Sequence, residues 1–384
     1  MSDEDIKTRE ESPEPAAGRG TRAPAPAKRR LYLTARQAFG ILAGVLAVLL
    51  VGLIVWLLFF MGGGSALVTR GGDTVAGIKP LFTIDGPGTG PLPRFSRPMG
   101  AAFGLDGRIY VADTGNNRIC VFDPTGKFLF EFGSFGVAKP LPGAKNTWAL
   151  GKLNYPIGIR VDSQDGTVYV ADFHNDQVQA FTADGKPLRA FPDPHKQVGK
   201  GSSGADGQGI AATALAVKAG KVYATDQYQV FEFDTDGKFV KQWGKPGTAP
   251  GDLDHPNGIA VADDGTVYVA DSNHARLTAF GKDGSVKWNF GTPPAGEASQ
   301  GAAPPLQLPR GATVTADGRI IVADAFSFEL VSVSKDGKLN GRYGERGTAA
   351  GQFNFPNDVD STGDRLVVAD KENGRIQVLQ LVGR

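Results

Sequence analysis

His255-Pro-Asn-Gly-Ile-Ala-Val-Ala-Asp-Asp-Gly-Thr-Val-Tyr-Val-Ala-Asp271-Ser-Asn-His-Ala-Arg276-Leu-Thr-Ala-Phe-Gly-Lys-Asp-Gly284-Ser-Val-Lys-Trp-Asn-Phe-Gly291 reads as four short strands separated by turns. Asp264-Gly265 makes the first turn, the segment from Asp271 to Arg276 the second, and Asp283-Gly284 the third. Asp-Gly pairs favour hairpins because Gly accepts positive φ and Asp tolerates it. The strands alternate or are wholly apolar, as in a sheet packed between neighbouring sheets.

The unit repeats. Apolar strands end in Asp113, Asp172, Asp226, Asp271, Asp324 and Asp370, at intervals of 59, 54, 45, 53 and 46 residues. A strand-rich repeat of this length predicts a propeller or a related array. The last unit starts at Phe355-Pro-Asn-Asp358 and stops at Leu381, one strand short. Leu81-Phe-Thr-Ile-Asp-Gly86, upstream of the first unit, matches the missing strand in character, like Phe128-Leu-Phe-Glu-Phe-Gly133 and Val286-Lys-Trp-Asn-Phe-Gly291. An N-terminal strand that completes the last blade closes the ring and removes an open sheet edge. The expected fold is all-β, a six-bladed propeller over residues 80–384, preceded by one transmembrane helix.

That helix is expected over residues 38–61, 24 positions without a charge. As a helix the run spans about 36 Å, enough for a hydrocarbon core of roughly 30 Å. Arg22, Lys28, Arg29, Arg30 and Arg36 precede it, and the first basic residues after it are Arg70 and Lys79. The asymmetry predicts a single pass with the N-terminus cytoplasmic and the propeller extracytoplasmic. A cleaved signal peptide would carry a shorter apolar core of roughly 7–15 residues. Residues 1–37, Pro- and Ala-rich and charged, read as a disordered basic tail, and 62–79 as a Gly-containing linker.

Across the 384 residues, 41% are hydrophobic and 21% charged, and the net charge is +1. No basic field attracts nucleic acid, which is not expected as a partner. The single Cys120 excludes an internal disulfide and every Cys-based zinc motif; flanked by Ile119 and Val121, it reads as a small core residue.

The order Pro-x-Gly, Asp-Gly, Tyr-Val-Ala-Asp, Asn-x-Arg, apolar strand, Asp-Gly and closing Phe-Gly resembles the NHL repeat. Tyr110-Val-Ala-Asp113-Thr-Gly-Asn-Asn117-Arg118 carries the likeness, as do Tyr268 to Arg276 and Asp370-Lys-Glu-Asn-Gly-Arg375. It covers roughly residues 80 to 384. The third unit departs at Asp226-Gln-Tyr-Gln-Val and the fifth at Asp324-Ala-Phe-Ser-Phe-Glu-Leu. The resemblance implies a binding platform more readily than an enzyme. Some six-bladed relatives are amidating lyases with a central metal, or lactonase-like enzymes. The alternative expectation is therefore a metal-dependent lyase or lactonase-like activity in the central channel. RNA binding, known for some propellers of this family, is opposed by the net charge.

No residue is expected to be catalytic or to bind metal. An Asp present six times, with Arg118, Arg276 and Arg375 a few residues on, reads as a turn clamp, because a reaction needs such groups once. His174 and His274 lie at unequal offsets in two turns, and no HxH or HExxH spacing occurs. No nucleophile elbow, P-loop or dinucleotide fingerprint is present. No cofactor is predicted, with a divalent metal in the channel left open.

Strand order puts the turn after each repeated Asp on the same rim as the blade-to-blade connections. That rim gathers Phe173, His174, Tyr228, Phe326 and Phe328 from the turns, and with them Tyr155, His274 and the channel-mouth residues Asn257, Arg310 and Asn357 beside the strand-starting prolines make the candidate ligand-binding set. Aromatics on adaptable loops suit a protein, peptide or glycan ligand. Inward packing of Phe326 and Phe328 against a neighbouring blade is the competing expectation.

Overall fold

A computed structural model describes residues 77–88, 94–139, 147, 149–200, 207–291 and 305–382. The expected tail and helix at 1–37 and 38–61 lie outside these residues, as does the linker up to residue 76. Among the described residues no helix is long and apolar enough to cross a membrane.

Six four-stranded antiparallel sheets make six blades. Blade 4 runs Pro256–Val261, Val267–Asp271, Arg276–Phe280 and Val286–Phe290, each strand paired with the next. Blade 6 holds Pro356–Thr362, Arg365–Asp370 and Arg375–Leu381, and takes its fourth strand, Ile78–Ile84, from the N-terminal side. The ring thus closes as the sequence predicts, with the strand beginning two residues upstream of the expected boundary at 80.

The first strands are Gly100–Phe103, Pro156–Val161, Ala214–Lys218, Pro256–Val261, Pro309–Val314 and Pro356–Thr362. Each packs beside the first strand of the next blade around the full circle, so they line the axis. Between adjacent blades lies one apolar layer per interface. Tyr169, Val178, Phe231 and Phe233 fill the space between blades 2 and 3, and Ile109, Phe122, Val367 and Val378 that between blades 6 and 1. The other four interfaces are built alike. Fully burying a side chain of this size contributes roughly 1.5–3 kcal/mol. Cys120 sits in one of these layers, where burial pushes its thiol up to about 12, as befits an inert core residue.

Strand composition follows position. The second and third strands of blade 1, Ile109–Asp113 and Arg118–Phe122, are buried throughout, while the outermost, Phe128–Phe132, alternates. Each outer strand also carries a bulge that leaves one residue unpaired, Leu129 in blade 1, Leu188 in blade 2, Val240 in blade 3 and Leu81 in blade 6. These four are among the exposed large hydrophobics. Their exposure follows from the bulge, which twists the edge and discourages strand addition.

Candidate functional site

The six repeated aspartates are buried to within 1% of zero exposure. In blade 4, Asp271 Oδ1 accepts the Asp254 N–H at 2.8 Å, and Oδ2 accepts Arg276 Nε at 2.9 Å, with His274 Nδ1 2.8 Å away. Blade 6 repeats this with Asn354 N, Arg375 Nε and Asn373 Nδ2 on Asp370. In blade 1 Asp113 accepts Ser96 N, Arg118 Nε and Asn116 Nδ2. One carboxylate thus pins the incoming connection with one oxygen and its own turn with the other. The arginines engage through Nε alone instead of bidentately, because the second carboxylate oxygen is taken by backbone.

Blades 2, 3 and 5 vary the device. Asp172 receives Gln177, Gln179 and Asn175 in place of an arginine. Asp226 receives Tyr228 N and Gln229 N from its shortened turn. Asp324 receives Gln307 N and Leu308 N, and an ion pair between Glu329 and Arg342 at 2.8 Å stands beside it. Blade 1 has the same outer pair with the charges exchanged, Arg118 with Glu131 at 2.6 Å.

The axis breaks the repeat. Gly100, Gly158, Gly258 and Gly311 share one register position, with Ala214 in blade 3 and Asp358 in blade 6. The first strands approach closely there: a Cβ on Gly258 would land on the Arg310 carbonyl oxygen. Two residues on, Ala102, Ala216, Ala260 and Thr313 are small, but blade 2 has Arg160 and blade 6 has Asp360. Arg160 reaches across the ring and grips both Asp358 oxygens, Nη1 to Oδ2 and Nη2 to Oδ1, each at 2.8 Å. It also donates to the carbonyl of Ile159. Burial alone would weaken the guanidinium's hold on its proton, but Asp358 outweighs it and raises the pKa above the ordinary value. Burial holds the Asp360 carboxyl above the usual range, partly offset by Arg160 and by the Phe103 N–H on its Oδ2.

This bridge divides the channel. On the side where the first strands end lies a cavity of about 260 Å³, lined by Arg160, Asp162, Lys218, Thr313, Asp360 and Ser361. Several of its polar groups are engaged: Ser361 with Thr313 at 2.8 Å, Lys218 with the exposed Asp263 at 2.5 Å, and Asp162 with the Gln164 N–H. On the side where the first strands begin, the space above the bridge is only about 10 Å³. That upper mouth is a shallow surface.

A divalent metal on the axis is what the enzymatic alternative requires, and the donors there do not fit one. Both Asp358 oxygens already face a cation, and Asp360 Oδ2 accepts a backbone N–H. Among the described residues no group of three or more His, Cys, Asp or Glu is set to hold a metal ion.

The upper mouth is built differently. Arg97, Tyr155, His255 and Phe355 each precede a proline at or just before the start of a first strand, and each has φ between 48° and 59°. A non-glycine residue rarely adopts this conformation, and a following proline favours extended backbone. Four strained positions therefore ring one opening. Tyr155 stacks on His174 at 4.8 Å between centroids, with Phe173 6.3 Å away. Burial among these rings pushes the His174 pKa down. Tyr228 lies 6.1 Å from His255, whose Nδ1 is 2.5 Å from Asp254 Oδ1.

Phe326 is 53% exposed and meets Phe355 edge-on at 5.7 Å, so it does not pack inward. Phe328 is half-buried at φ 60° beneath Arg346. Asn257 donates to His255 O and Ser272 Oγ. Asn357 is buried and bridges Met99 O to Arg310 Nε. His274 is turned into its blade, three residues after Asp271, where Asn116, Asn175 and Asn373 serve the other blades. The structure thus brings Tyr155, Phe173 and His174 into one cluster and Arg310, Asn357 and Phe355 into another.

The NHL repeat family matches residues 95–122, 153–181, 253–280 and 353–379, which are the opening strands of blades 1, 2, 4 and 6. The protein is an NHL-repeat six-bladed propeller. Blades 3 and 5, unmatched, are the two whose turns depart from the motif. Human NHL repeat-containing protein 3 is 25% identical over 246 residues, 58% of this chain and 63% of its own length. Protein brain tumor of Drosophila melanogaster is 26% identical over 166 residues, 42% of this chain and 14% of its own. The chain spans less than two thirds of either relative. Among solved structures, a gluconolactonase of Xanthomonas campestris has a TM-score of 0.52 at 17% identity, covering 80% of this NHL-repeat chain and 90% of the enzyme. At this identity the likeness is one of fold.

Arg97, Arg160, His255, Phe355 and Asp360 are the residues that sequence reasoning missed. A signal existed for two of them: Arg160 and Asp360 are charges at a register position held elsewhere by Ala or Thr. The strained backbone before four prolines had no signal in composition.

Proposed function

We propose that the protein is a binding scaffold, tethered to a membrane by residues 38–61, that holds a protein, peptide or glycan ligand on its extracytoplasmic upper mouth. One observation carries this reading. The axis is bridged and much of the lower cavity's polar lining is engaged, whereas the mouth presents partly exposed rings, Phe326 most of all, and strained backbone. The chain's net charge of +1 supplies no basic field for the counterion release that drives RNA binding.

Two experiments test it. Full-length protein carrying Phe173→Ala, Tyr228→Ala and Phe328→Ala together should lose partners from membrane extracts that wild type and a lower-face Leu105→Ala variant both retain. Retention by the triple variant would move the site elsewhere. For the tether, alkaline carbonate should leave the protein in the membrane pellet, and protease added to intact cells should cut the propeller. Release by carbonate, or protection until lysis, would contradict the placement.

A further inference from the structure

We propose that Arg310 is an anion receiver and that the upper mouth binds a ligand through a carboxylate carried on an apolar group. This rests on the reading of the mouth as the binding face and names its chemistry.

Among the described residues, each of the four buried arginines has a carboxylate. Arg118, Arg160, Arg276 and Arg375 meet Asp113, Asp358, Asp271 and Asp370 at 2.8–2.9 Å. Arg310, half-buried at the mouth, has none among the described residues. Its Nε donates to Asn357 Oδ1 at 3.1 Å, and Asn357 is itself anchored by a 2.7 Å bond to Met99 O. The guanidinium lies 5.9 Å from the Phe355 ring. One edge is therefore fixed, while the two Nη groups have no hydrogen-bond partner among the described residues. Burial pushes its pKa down to about 10, so at neutral pH it stays charged. Asp358, the carboxylate within electrostatic reach, is already gripped through both oxygens by Arg160, so Arg310 has no carboxylate of its own.

The surroundings select the anion. Tyr155, from the opposite blade, lies within electrostatic reach of Arg310, and its hydroxyl has no hydrogen-bond partner among the described residues. Lys371, the cation beside Phe355, is already paired with Glu372 at 2.7 Å. The free guanidinium edge and the phenol suit the two oxygens of a planar carboxylate, and the other mouth arginines without an ion pair among the described residues, Arg97 and Arg346, are exposed to water. Phe355 and the exposed Phe326 give the neighbouring part of the ligand an apolar surface. A peptide C-terminus with an apolar last residue carries its carboxylate in this way, whereas a sugar acid carries one on a polar ring.

The test is calorimetric titration of full-length protein in detergent with N-acetylphenylalanine, its amide, glucuronate and inorganic phosphate. N-acetylphenylalanine should bind at least tenfold more tightly than its amide, glucuronate and phosphate; glucuronate binding as tightly would overturn the apolar part of the proposal. Arg310→Gln should remove the preference for acid over amide, and Arg310→Lys should reduce it, both with wild-type unfolding temperature. Equal binding of acid and amide, an Arg310→Gln variant that keeps the preference, or no saturable binding of any carboxylate would overturn the proposal. If Arg310→Gln is silent while Phe173→Ala abolishes binding, the carboxylate inference falls and the mouth remains the binding face. If both are silent and the probes still bind, that reading falls with it.

Discussion

Asp271 and Asp358 are the same residue type, both buried, yet they belong to different designs. Asp271 recurs six times, and its partners come from its own blade and the connection into it. Asp358 occurs once, replaces a glycine of the repeat, and takes its partner from across the ring. The first kind of carboxylate makes a blade; the second joins blades 2 and 6 and closes the channel. In a repeat protein, repetition marks scaffold and the single exception marks what is particular to this chain.

Breaking the bridge should have the largest effect. Arg160→Ala strands Asp358 without its cation and should cost about 3–5 kcal/mol in urea unfolding. A loss below about 1 kcal/mol would show that water reaches the pair. Asp271→Ala comes next: it leaves Arg276 buried and unpaired, and about 3 kcal/mol is expected. Asp324→Ala frees only two backbone N–H groups, so about 1–2 kcal/mol is expected. Equal losses at the two sites would mean that the arginine adds nothing to the clamp.

The smallest effect concerns Asp360. Burial raises its folded pKa, so its contribution is fully present below the ordinary carboxylate value of about 3.9 and is lost as pH rises through the raised value. Asp360→Asn keeps an oxygen for the Phe103 N–H. Its Tm advantage over wild type should therefore grow from about pH 4 to pH 7. An advantage that shrinks over that range would mean that Arg160 outweighs burial.

Most of the fold was legible because its determinants are local and periodic. Asp264-Gly265 and Asp283-Gly284 announce hairpins by turn chemistry, and Leu81 to Gly86 announces the closing strand by its likeness to its counterparts. The mouth was legible only in part. Tyr155, Phe173, Arg310 and Asn357 follow from their place beside prolines and turns, whereas His274 looks like a rim residue and is a blade clamp. Phe355 and His255 escaped because a positive φ before proline is set by the packing of the whole ring and leaves no trace in residue type. Arg160 and Asp358 lie 198 positions apart, and only closure of the circle brings them together.

A double-mutant cycle on Arg160→Ala and Asp358→Gly, two substitutions that restore the residues of other blades, tests the bridged axis most directly. Each single variant should be strongly destabilised and the double variant largely restored, with a coupling energy of about 2 kcal/mol or more. Additive losses, with coupling under about 0.5 kcal/mol, would contradict a channel closed by this pair.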